Sequence, residues 1–202
     1  MDLLIEWARA NYIELISIIF SVSGVILATK QIIWNWPLAL IGVIAASVVF
    51  YDTKLYLATL LQVFYFFFTL YGWYNWQYGG SQVNAQGEKK VLKVTDITKK
   101  QSLIFFISGC FAAIILGYIF NKWTDATFPF IDSVTTTCGI IGTYFMAKKI
   151  IQHWFIWLFN DSICVVLYFY KGLYGFTILY FLYLLLATYG YFEWKKDLVK
   201  TD

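Results

Sequence analysis

Gly24-Val-Ile-Leu-Ala-Thr-Lys30-Gln-Ile32-Ile33-Trp-Asn-Trp36 and Gly142-Thr-Tyr-Phe-Met-Ala-Lys148-Lys-Ile150-Ile151-Gln-His-Trp154 decide how this chain is built. The stretches lie 118 positions apart and share Gly, Lys, two Ile and Trp in one register. Extended without gaps, the match joins residues 14–76 to 132–194. Leu40 falls on Leu158, Val48 on Val166, Leu55-Tyr56 on Leu173-Tyr174, and Thr59 on Thr177. Leu61 falls on Leu179, Tyr65 on Tyr183, Tyr71-Gly72 on Tyr189-Gly190, and Trp76 on Trp194. Lipid-facing filler does not repeat Lys, Gly and Trp in one register, so the chain carries an internal repeat.

The matched segments are apolar. The 202 residues are 60% hydrophobic, 22% aromatic and 13% charged, with a mean hydropathy of +0.66. Soluble domains are about 25% charged, so a polytopic membrane protein is expected. A span needs about 20 mainly apolar residues, and seven stretches qualify: 11–29, 33–51, 55–77, 103–121, 130–147, 154–170 and 172–194. Met1–Ala10 carries Asp2 and Glu6 with Arg9 as its only basic side chain, which is not the pattern of a cleavable signal. A net charge of +3 without a basic stripe excludes a nucleic-acid binder. Cys110, Cys138 and Cys164 sit in apolar runs without CxxC spacing and read as small buried hydrophobes, and no metal or cofactor set is visible. No HExxH, GxSxG or P-loop pattern occurs, so no enzyme is expected.

Seven spans place the chain ends on opposite faces. Eleven Lys residues collect on one face (Lys30, Lys89, Lys90, Lys93, Lys99, Lys100, Lys148, Lys149, Lys195, Lys196, Lys200), against Arg9, Lys54, Lys122 and Lys171 on the other. The positive-inside rule then puts the N-terminus outside and the C-terminus in the cytoplasm. Each repeat is three spans, and 103–121 separates them. Both repeats therefore start on the same face, giving a parallel 3+1+3 all-α architecture like that of SWEET transporters. The divisions expected are 1–77 for the first repeat, 78–131 for loop and linking helix, and 132–202 for the second repeat and tail. Such a frame holds a substrate between its halves near the midplane.

An ionisable side chain within a span costs about 2.5–3.5 kcal/mol on insertion scales and is a functional candidate by default. Asp161 lies seven residues into the sixth span. Trp154, Trp157 and Asp161 share one helix face, with Asn160 at its edge. Its counterparts in the first repeat are Gly42 for Asn160 and Val43 for Asp161, so the charge is an asymmetric addition to a symmetric frame. Indoles beside a carboxylate suit a flat cationic ligand; the competing reading is a structural Asp bonded to neighbouring hydroxyls. Gln62, Phe66 and Thr69 form a polar-edged stripe in the third span, to read a ligand or to join helices. Thr136, within Thr135-Thr136-Thr137, is a further candidate, though helical Thr often bonds its own backbone. Glu14 and Asp132 are counterparts near the outer ends. His153, Trp73, Trp76 and Trp194 read as interfacial residues, and Tyr74 and Asn75 as parts of an inner gate.

Leu60-Leu-Gln62-Val-Phe-Tyr-Phe-Phe-Phe-Thr69-Leu-Tyr-Gly72-Trp73-Tyr-Asn-Trp76 resembles the third-span motif of the PnuC family of bacterial vitamin transporters. Phe128-Pro-Phe-Ile-Asp132-Ser, Trp154-Phe-Ile-Trp157 and Lys171-Gly-Leu-Tyr174 are similar to that family's second half. The resemblance implies a trimeric seven-helix transporter in the bacterial inner membrane. It implies facilitated diffusion of a dephosphorylated vitamin, nicotinamide riboside or, in PnuT relatives, thiamine, which a cytoplasmic kinase then traps. Its substrate-cavity pattern points to Gln62, Trp154, Trp157 and the position seven after Trp154. There the riboside carriers usually have Asn where this chain has Asp161. A carboxylate suits the aminopyrimidine of thiamine better than an amide does, so thiamine is the expected substrate, with nicotinamide riboside as the alternative.

Overall fold

The structure is a computed structural model, and it describes residues 12–52, 56–79, 92–124, 128–170, 172 and 174–199. Each apolar run becomes one helix: α1 Tyr12–Thr29, α2 Asn35–Asp52, α3 Tyr56–Tyr78, α4 Lys99–Trp123, α5 Pro129–Ala147, α6 His153–Tyr170 and α7 Tyr174–Lys196. At 18 to 25 residues they are about 27–38 Å long, enough to cross a bilayer. Where the residue before the helix is described, α2, α5 and α6 begin within two residues of the hydropathy boundary. The exception, α4, starts four residues early because Thr98 and Gln101 form a capping box, a polar first turn that hydropathy does not see.

Helices α1–α3 form the first repeat and α5–α7 the second, while α4 packs on α5. Between the repeats, α3 rests on α5 and α1 on α7. Since α1 corresponds to α5 and α3 to α7, this is one contact made twice, as two parallel repeats around a pseudo-two-fold axis require. Several of the repeat identities pack in equivalent places. Trp36 packs over Gly72 and Trp154 over Gly190, each indole lying where a Cβ would sit. Trp36 meets Trp76 edge-on at 5.3 Å, and Trp154 meets Trp194 edge-on at 5.6 Å. Trp76 and Trp194 then meet each other across the axis at 5.7 Å.

The α1 and α5 C-termini are built alike. Ile32 N–H donates to Leu27 O at 3.0 Å, and Ile150 N–H to Phe145 O at 2.9 Å. Gln31 and Lys149, in left-handed conformation at φ 55° and 54°, close the same Schellman turn in both halves. The interfacial assignment of three residues does not hold. His153 and Trp194 are 0% exposed and Trp76 is 7% exposed, forming with Trp36, Trp154 and Ile151 the core at the lysine-rich end. Aromatic composition near a span end does not separate a belt from a core.

The stretch expected to be a polar linker contributes structure in its described part. Val94–Thr95 (β1) pairs in parallel with Leu198–Val199 (β2). Thr95 also exchanges main-chain bonds with Lys149 and Ile151, at 3.0 and 2.9 Å. Val94 is buried by this three-way join. Two residues are too short a strand for any alternation to announce.

Candidate functional site

Four helices bring polar side chains together between the repeats. Helix α6 supplies Asn160 and Asp161, both buried, with Asn160 Nδ2 donating to Asp161 Oδ1 at 3.2 Å. Helix α3 supplies Gln62 and Thr69, buried seven residues apart on one face. Tyr65 lies between them, its hydroxyl against Gly139 of α5. Phe66, one turn from Gln62, is half-buried and packs edge-on to Phe67 at 5.6 Å, away from the axis aromatics.

Tyr65 of α3, with Tyr180 and Tyr183 of α7, lies within electrostatic reach of Asp161. The sequence reading missed these three phenols as site residues. A signal existed: Tyr65 and Tyr183 are repeat counterparts, as are Gln62 and Tyr180, so the two pairs face the site from equivalent positions. No cationic side chain is among Asp161's partners in the described residues; its charge meets one amide and the phenols. A buried carboxylate without a counter-ion is costly, and a cationic ligand removes that cost.

The threonine cluster divides. Thr135 Oγ1 bonds back to Asp132 O at 3.0 Å. Thr136 is half-buried, while Thr137 is buried and its hydroxyl has no partner. Asn160 Oδ1 is likewise buried and unpartnered, so the cluster offers acceptors to a ligand rich in N–H and O–H donors. Trp157 packs on Gly142. Trp154 lies two helical turns from Asp161, inside the aromatic core and 2% exposed, with its indole N–H unpartnered. Asn160 and Asp161 thus lie together on α6, with Trp154 two turns along the same helix, and on α3 Thr69 lies two turns from Gln62. Asp132 has a partner of its own and lies within electrostatic reach of Cys164 and Tyr168. The Glu14 side chain lies outside the described residues.

The two halves differ where the site lies. In the first repeat Gly42 lets α2 press against Ser17 and Ser21 of α1, and Ser17 Oγ donates to Gly42 O at 3.2 Å. In the second repeat the Gly42 counterpart is Asn160, and α5 and α6 pack less extensively than α1 and α2. The glycine seat of the first repeat is thus taken in the second by a buried amide beside Asp161. Among the described residues no three His, Cys, Asp or Glu side chains group to hold a metal.

Two parallel three-helix repeats joined by a linking helix, with a polar cluster buried between them, define a polytopic membrane transporter. The chain belongs to the family described as nicotinamide mononucleotide transporter, whose model matches residues 11–196. It is 26% identical to the nicotinamide riboside transporter PnuC of Escherichia coli (strain K12), over 91% of this chain and 85% of that one. It is also 26% identical to the riboflavin/roseoflavin transporter RibM of Streptomyces davaonensis, over 83% of this chain and 77% of that one. The crystal structure of the vitamin B3 transporter PnuC superposes with a TM-score of 0.75 at 18% identity, covering 96% of this chain and 85% of that chain.

Proposed function

We propose that this chain carries a cationic, dephosphorylated vitamin across the bacterial inner membrane, and that the vitamin is nicotinamide riboside. The observation that carries the reading is Asp161, a buried carboxylate with no cation among its described partners, beside the unfilled acceptor Asn160 Oδ1. A pyridinium ring supplies the missing charge, and ribose hydroxyls and a carboxamide supply donors. Family membership and the PnuC relative favour the riboside over thiamine, which the sequence alone had put first. Thiamine is the second reading, because an aminopyrimidine also pairs well with a carboxylate. The lysine-rich end faces the cytoplasm in this reading, the repeats 1–77 and 132–202 rock about the axis, and a cytoplasmic kinase traps the product. The assembly is a homotrimer.

Calorimetric titration of the detergent-purified protein with nicotinamide riboside, thiamine and riboflavin tests this. The riboside is expected to bind, and Asp161→Asn to weaken it at least tenfold, or about 1.4 kcal/mol. Thiamine binding with a silent riboside establishes the second reading. Neutral riboflavin binding that ignores Asp161→Asn refutes both.

A further inference from the structure

The lysine-rich end of the bundle is shut by contacts that all cross the pseudo-two-fold axis. Trp76 Nε1 donates to Met146 O at 3.1 Å, and Trp194 Nε1 donates to Ala28 O at 2.9 Å. Ala28 and Met146 are repeat counterparts, so these bonds are one bond made twice. Asn75 Nδ2 adds a bond to Ala147 O at 2.8 Å, while Tyr74, the other residue expected at an inner gate, is exposed and packs on Tyr78. On the axis itself Lys149 Nζ donates to Oε1 of its counterpart Gln31 at 2.9 Å. The ammonium also lies 4.6 Å from the centre of the Trp76 ring. Gln31 Nε2 donates onward to Asp197 Oδ2 at 2.8 Å.

Lys149 is 5% exposed, and a buried ammonium bonded to a neutral amide is a costly way to fill space. Its value is directional. The cation reaches the other repeat, and it is held from behind by Thr95, whose N–H donates to Lys149 O at 3.0 Å. Thr95 is in turn paired to the tail that carries Asp197. The symmetric indole bonds make a seal, and the asymmetric Lys149–Gln31–Asp197 chain ties it to the 94–95 and 198–199 strap.

We infer that Lys149, Gln31 and Asp197 form the latch of the gate at the lysine-rich end of the transporter. This end opens only when the Lys149–Gln31 bond and the two indole–carbonyl bonds part together. The inference rests on the transporter reading above, but not on which vitamin is carried.

The test uses the full chain in sealed liposomes with Cys164 as sole cysteine (Cys110→Ser, Cys138→Ser). Cys164 is buried one turn from Asp161. A membrane-impermeant methanethiosulfonate is applied to each face in turn, and the latch face is identified by labelling Lys100→Cys in a separate preparation. Lys149→Leu and Asp197→Ala are each expected to raise the rate of Cys164 modification from the latch face at least fivefold, without raising it from the opposite face. An unchanged latch-face rate in a folded variant overturns the latch. An equal rise from both faces shows general loosening and overturns it too. Should Lys149→Leu fail to fold, Asp197→Ala, on the exposed tail, decides alone. These rates need no substrate, so a failed latch and a failed substrate assignment are read separately.

Discussion

Gly72→Ala and Gly190→Ala test the pseudo-symmetric core directly. A Cβ at Gly72 lands on the six-membered ring of Trp36, and one at Gly190 on the indole of Trp154. Neither ring has room to withdraw: Trp36 is 1% exposed and braced by Trp76, and Trp154 is 2% exposed and braced by Trp194. Overpacking of a rigid core costs about 1–3 kcal/mol, and the upper end applies to ring atoms held on both sides. Replacing a helical glycine by alanine returns roughly 1 kcal/mol, leaving a net loss of about 2 kcal/mol per site. For a chain of this size that is a fall in Tm of roughly 4–8 °C, read by thermal unfolding of the purified protein in detergent. Trp36→Phe in the Gly72→Ala background should recover part of the loss, with a coupling of about 0.5–3 kcal/mol. Gly109→Ala is the control, since its Cβ meets the flexible tip of Ile141 at 3.0 Å and the Thr137 methyl at an ordinary 3.7 Å. If both seat variants melt at or above the wild type, the glycines are not seats. If only one is affected, the core is not the repeated device described here.

Other outcomes follow from the same geometry. Trp76→Phe and Trp194→Phe each strip one cross-repeat bond, while the acceptor carbonyls of Met146 and Ala28 keep their backbone donors Lys149 and Gln31, so each should lower stability by about 0.5–1.5 kcal/mol in thermal melts. Matching losses are expected because the bonds are counterparts. Burial pushes the Lys149 ammonium down to about 8 from its ordinary 10.5, against the pull of Asp197. The folded protein therefore binds fewer protons than the unfolded chain between pH 8 and 10.5, and stability from this group rises with pH across that window. Below pH 8 the cost of the buried charge is felt in full. The Tm advantage of Lys149→Met over wild type should accordingly shrink as melts move from pH 7 to pH 10; a constant difference would show that Lys149 is not the titrating group. Thr98→Ala removes the α4 cap and should cost about 1 kcal/mol, read as faster amide exchange in the first turn of α4 with α5 and α6 unchanged.

Hydropathy alone located all seven helices, because a bilayer demands a minimum apolar length and a linear sequence reports length directly. The repeat was equally legible, since Lys30 with Lys148, Trp36 with Trp154 and Gly72 with Gly190 stand in one register. From these the parallel 3+1+3 order follows by counting. Asp161 and Gln62 stood out because polar side chains are rare within spans. What each helix turns inward was decided only by the tertiary structure. In a soluble helix the apolar stripe marks the buried face, but here lipid and protein interior are equally apolar, so Trp76 and Trp194 read as interfacial though they are core. The approach of Tyr65 to Asp161, and the meeting of Gln31 with Lys149 on the axis, unite residues from opposite repeats. Helix rotation and close packing of small residues against indoles set those meetings, and neither is written along the chain.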